Sequence, residues 1–226
     1  MNLSTVGRLL PELTGDARAD RWREHRAAVR ADLIEATLRA IDEYGPDLSI
    51  DDVVRTARIP RPKLYRYFAD KDALFAAVGG RVQEMIVEQV VPQLSAASKA
   101  LELVSSPVAA YVRLVDERPN LLRFLVNSHL REGRSPADLI EGGRPLSDAT
   151  VDVWSATILA RGGVGGNLEC VVDAALGAVG LGVLRWLNSP ITSKDALIEE
   201  LTAFLWGAFS AVAAARGAFF DPDTKL

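Results

Sequence analysis

The sequence predicts an all-α protein, and three observations carry that prediction. Helix formers, chiefly Ala, Leu, Arg and Glu, dominate the 226 residues, while the alternating Val/Ile/Thr/aromatic runs of strands are scarce. Apolar residues recur at i, i+3 and i+4, the period of a helix with one buried face. Gly and Pro fall mostly between such segments. With 49% hydrophobic and 25% charged residues the chain is globular rather than disordered, and it is long enough to bury a core.

The first twenty residues, broken by Pro11 and Gly15, read as a loose arm or a short extra helix. A first helix is expected over 20–44, on the stripe Val29, Leu33, Ala36, Ile41 and Tyr44. Gly45 and Pro46 end it, Gly taking the left-handed cap and Pro refusing to continue. Ser49 opens a second helix, with Asp52 three residues on as in a capping box, and Ile50, Val53, Val54 and Ala57 form its buried side. Positions 59–62 hold two prolines and make the turn. A very short third helix follows over 62–68, with Pro62 in a first turn where its missing N–H costs nothing. Asp70 caps a fourth over 71–79. The Gly79-Gly80 pair is expected to divide an N-terminal unit, 21–80, from a larger one, 81–226. Further helices are expected near 81–104, 107–117, 119–131, 147–161, 167–188 and 193–216, separated by Pro107, Pro119, the Gly/Pro clusters at 133–136 and 142–145, the glycines at 162–166, and Pro190.

The net charge of −4 argues weakly against a polyanionic partner, but its distribution argues for one. Between positions 55 and 71 lie Arg55, Arg58, Arg61, Lys63, Arg66 and Lys71 against the single acid Asp70. Arg21, Arg23, Arg26 and Arg30 lie just upstream. They suit phosphates, or else form a solvated face paired with Glu24 and Asp32. No uncharged apolar run reaches the length of a membrane span, and the first residues do not read as a signal peptide, so a cytoplasmic protein with no membrane partner is expected. The lone Cys170 excludes an intramolecular disulfide. Gly162 to Gly166 lacks the preceding strand and following Lys-Ser/Thr of a phosphate loop, and His25 and His129 are too far apart to suggest a zinc site. No cofactor, metal or catalytic constellation can be singled out, and the chain is not expected to be an enzyme.

Three short helices with a tight turn before the third make a helix-turn-helix, whose third helix enters the DNA major groove. In 62–68, Leu64 and Phe68 stand four apart and face inward, leaving Arg61, Lys63, Tyr65, Arg66 and Tyr67 outward or along the flank. Guanidinium groups suit guanine edges, whereas Lys and Tyr suit phosphate oxygens. The stretch from Ser49 through Leu-Tyr-Arg-Tyr-Phe (64–68) to Asp70-Lys71-Asp72 and Leu74 resembles the DNA-binding segment of the TetR family of transcriptional regulators, over roughly residues 25–80. The resemblance implies that Tyr65 and Lys71 meet phosphates and that Arg61, Pro62, Lys63 and Tyr67 face the groove. Ser49, Arg66, Arg26 and Arg30 complete the expected DNA-binding set. Two residues depart from the pattern: Arg58 stands where the family has a turn glycine, and Pro60 where it has a Ser or Thr cap. A non-Gly residue at positive φ is uncommon and strained.

Beyond residue 80 only helix content and length resemble the family. The last two long helices combine small residues (Ala174, Gly177, Gly207, Ala211) with large apolar ones (Leu181, Phe204, Phe209) and are apolar over most of their circumference. That suits burial on two sides, either in a core pair or, as the resemblance implies, in a four-helix bundle with a second copy. Phe124, Asn127, His129, Trp154 and Cys170, aromatic or polar within apolar helices, are the candidate lining of a pocket for a small hydrophobic effector. The expectation is a homodimeric repressor on a near-palindromic, double-stranded operator. The alternatives are a DNA-binding dimer without a ligand, and an all-α carrier or enzyme with an incidental basic helix.

Overall fold

The structure, a computed structural model, describes residues 17–131 and 136–226, and the side chains of all of these except 17–19, 129–131 and 136–140. Among the described residues the regular elements are helices alone: α1 (Ala17–Tyr44), α2 (Ile50–Ala57), α3 (Arg61–Leu64), α4 (Lys71–Ser95), α5 (Glu102–Glu117), α6 (Pro119–Arg131), α7 (Pro136–Ala160), α8 (Glu169–Asn188) and α9 (Lys194–Ala215). The all-α expectation holds. The first sixteen residues of the expected arm lie outside the description.

The N-terminal helices form as their stop and start signals require. Gly45 takes φ 92° behind Tyr44. Ser49 and Asp52 exchange bonds as a full capping box: the Ser49 hydroxyl accepts from the Asp52 N–H at 3.3 Å, and the Asp52 carboxylate accepts from the Ser49 N–H at 2.8 Å. Arg58 adopts φ 53° and ψ 43°. Its N–H donates to the Arg55 carbonyl at 3.2 Å, and that of Ile59 to the Val54 carbonyl at 3.1 Å, the two bonds of a Schellman motif. The turn thus holds an arginine in the left-handed position.

The structure corrects the expected boundaries in four places. Helix α3 is only Arg61–Leu64, continued by turns in which Tyr67 and Phe68 both donate to the Leu64 carbonyl. No break occurs at Gly79-Gly80; α4 runs straight through. Gly79 is buried at ordinary packing distance from Leu125 of α6 and Gly80 has open space around it, and neither ends the helix. Helix α4 stops at Ser95 and α5 begins at Glu102 with Pro107 inside it. Helix α7 begins at Pro136 and carries Gly142, Gly143 and Pro145 within it.

Two cores result. One joins Leu33, Ile41, Val53, Leu64, Phe68 and Val78 with Leu121, Phe124 and Leu125 of α6. The other gathers Val112, Trp154, Ile158, Val172 and Phe209 from α5, α7, α8 and α9. Helix α6 therefore spans both cores, Leu121, Phe124 and Leu125 in the first and Leu122 in the second. Polar ties reinforce it: Arg118 pairs with Asp42 at 2.6 Å, and the Asn120 side chain donates to the Ile41 carbonyl at 3.4 Å.

Candidate nucleic-acid interface

Residues 61–67 form a basic and mostly exposed ridge. Leu64 and Phe68, 1% and 2% exposed, anchor it in the first core, as their spacing of four demands. Arg61, Pro62, Lys63, Tyr65 and Arg66 are exposed, and Tyr67 is half-buried. Pro60, the N-cap of α3, offers no side-chain oxygen, and no side-chain cap bond forms there. The first turn carries no acid, the Lys63 N–H already donates to the Pro60 carbonyl at 2.9 Å, and Pro62 has no N–H, so the positive character of this end comes from the Arg61 and Lys63 side chains.

Neighbouring elements fix this ridge. The Arg26 guanidinium lies 5.5 Å from the Trp22 ring centre and 6.0 Å from that of Tyr67, and donates to the Arg66 carbonyl at 3.4 Å. Arg30 stacks 4.5 Å from the Phe68 ring. Both arginines remain exposed, so each braces the ridge while offering N–H groups to the solvent side. Ser49 differs: its hydroxyl also donates to Asp52 at 2.7 Å, so cap formation already engages it. Lys71 opens α4, where the helix dipole disfavours a cation, and its ammonium rests 4.8 Å from the Phe75 ring. A phosphate placed there would reverse that penalty. Asp51 pairs with Arg61 at 3.3 Å and Asp52 with Arg55 at 3.2 Å, both on the surface. Lys63, Arg58 and Arg66 make no ion pair among the described residues.

The proposed pocket residues do not come together. A cavity of about 210 Å³ lies among α4, α5, α7 and α8, lined by residues such as Val90, Val108, Trp154 and Val179. Of the five expected residues it contains Trp154. Phe124 is instead buried in the first core, edge-on to Phe75 at 5.1 Å between ring centres. Asn127 reaches the surface Asp47 at 3.5 Å. Cys170 is exposed, in a groove between α8 and α9 with Ala174, Phe204 and Ala208. The side chain of His129 lies outside the description. Most of the cavity's lining is aliphatic, with the same helical period as packed core, so the sequence pattern does not distinguish the two.

Residues 33–78 match the model of the family described as bacterial regulatory proteins, tetR family. Over 209 residues the chain is 30% identical to an uncharacterized HTH-type transcriptional regulator of Mycobacterium tuberculosis, covering 89% of this chain and 86% of that protein. A TetR-family regulator from Pectobacterium atrosepticum shares the fold with a TM-score of 0.66 and 20% identity, over 88% of this chain and 98% of that one. The regulator FadR from Bacillus subtilis, solved in complex with stearoyl-CoA, shares it with a TM-score of 0.59 and 15% identity, over 79% and 98%.

Proposed function

Because this chain belongs to the TetR family of bacterial transcriptional regulators, we propose that it is a homodimeric repressor of a near-palindromic operator, released when an apolar small molecule enters the cavity of its C-terminal region. The observation that carries the reading is α4. Its first residue, Lys71, stands at the DNA-facing ridge, while Gln83, Ile86, Val87, Val90 and Leu94 farther along line the cavity. Twenty-five residues span about 37 Å at 1.5 Å each, so one continuous helix links the two sites. A ligand that displaces its far end displaces Lys71 and the segment before it. A coupling of about 1–3 kcal/mol would weaken operator binding about 5–150-fold. The stearoyl-CoA held by FadR supports an acyl-like effector for the same fold.

A second copy is the fitting cover for α8 and α9. By length and composition these two helices could cross a bilayer, yet their inner faces, with Val172, Val179, Leu205 and Phe209, are buried in the second core. Their outward faces expose Leu181 (70%) and Phe204 (56%) beside Ala174, Gly177, Ala203 and Gly207, small residues that let helices approach closely. A twofold dimer would set the two ridges in successive major grooves, about 34–36 Å apart.

The reading is tested by mapping bound fragments across a bacterial genome, then measuring transcription from the bound promoter with and without the protein. Binding at inverted half-sites with lowered transcription supports it. Raised transcription would overturn the repressor assignment, and binding without sequence preference would favour a carrier with an incidental basic ridge.

A further inference from the structure

We propose that the cavity takes a ligand whose buried part is uncharged and largely hydrocarbon, and which presents a neutral acceptor (an ester, thioester, ketone or alcohol oxygen) to the hydroxyl of Tyr111. This rests on reading the cavity as the effector chamber. Among the described residues the lining is aliphatic and aromatic, and its polar side chains are Gln83, Tyr111, Thr150 and Trp154. None carries a charge, so an ionised group inside would lose its hydration with no counter-ion.

The four polar groups are not equivalent. The Thr150 hydroxyl already donates to the Leu146 carbonyl at 2.8 Å. The Gln83 amide packs against Gly142, filling the space a Cβ there would need, so it closes the contact of α4 with α7. The Trp154 N–H is covered and finds no partner among the described residues. Tyr111 also finds none, and it lines the cavity without being fully closed off. Burial alone pushes its phenol up to about 12, so it remains a neutral O–H donor throughout the working pH range. An open, unpaired donor inside an apolar chamber is the group a ligand oxygen would satisfy.

The test titrates the full-length protein at pH 8 with 1-decanol, methyl decanoate and sodium decanoate, following thermal stability and intrinsic fluorescence. The two neutral probes should bind and decanoate should bind at least about 10-fold more weakly. Tyr111→Phe, nearly the same shape, should weaken the neutral probes about 3- to 10-fold, the worth of one neutral hydrogen bond. Decanoate binding as tightly as its methyl ester would overturn the proposal without any variant. Equal affinity of wild type and a folded Tyr111→Phe protein for the neutral probes would overturn the role of Tyr111. Failure of all three probes, 1-decanol included, would instead remove the effector chamber itself.

Discussion

Replacing Arg58 with glycine should stabilise this protein. Arg58 holds φ 53° because the Schellman motif needs a left-handed residue between Ala57 and Ile59. For a residue with a Cβ that conformation costs about 1–2 kcal/mol, which glycine avoids. Glycine also gains freedom in the unfolded chain, worth about 0.4–1 kcal/mol against it. The difference leaves a net gain of about 0.5–1 kcal/mol, or about 1–4 °C in Tm for a chain of this size. Thermal unfolding followed by circular dichroism, at one fixed protein concentration because a dimer's Tm depends on it, measures the shift. Arg58→Ala is the control, since it removes the charge and keeps the Cβ. Alanine should leave the strain in place and give no comparable gain. If alanine stabilised as much as glycine, charge repulsion among the basic residues would be the cause and the backbone argument would be refuted.

Four further outcomes follow. Phe124→Ala should cost about 3–5 kcal/mol, because a fully buried ring bridging α6 to the first core is lost, and chemical denaturation should also show weaker operator binding near the midpoint. Asp70→Ala should cost about 1 kcal/mol by removing the cap bond to the Ala73 N–H, read as a lowered Tm. If the chain pairs through α8 and α9 as proposed, Phe204→Glu should give monomers by light scattering after size exclusion while helix content stays unchanged, since it charges the exposed face of α9. Hydrogen bonds from the Ser49 hydroxyl and N–H, helped by Arg55, hold the Asp52 carboxyl below its ordinary 3.8. A lowered folded-state value means the stabilisation is complete above that ordinary value and fades as pH falls through the folded one. Asp52→Asn should therefore destabilise at pH 7 and approach wild-type behaviour as denaturation is repeated at successively lower pH below 3.8.

The parts of the molecule governed by local chemistry were legible in the sequence. Ser49 and Asp52 announce a cap, Gly45 and Pro46 a stop, and Leu64 with Phe68 an inward face, because each signal is satisfied within a few residues. The cost at Arg58 was equally local. What long-range packing decides was not legible. Gly79 and Gly80 read as a break, yet α4 runs through both, its buried face of Leu74, Val78 and Val82 continuing on either side of them. Phe124 read as pocket lining and proved a core residue of the other unit, because its partner Phe75 lies far away in sequence. The cavity escaped notice because its lining of Val, Leu and Ile has the same pattern as a packed core, and only the fold shows where packing stops.

The proposed function requires the segment around Arg61 to Tyr67 to read DNA as a braced ridge. Fluorescence anisotropy of the full chain on a genomic target and on a scrambled duplex, each over a range of salt, tests it most directly. Wild type should prefer the target by at least about 1,000-fold at moderate salt. Lys63→Ala should erode that preference, and Tyr65→Ala should weaken both duplexes alike. Equal affinity of the folded protein for target and scrambled DNA would show that this ridge does not read sequence.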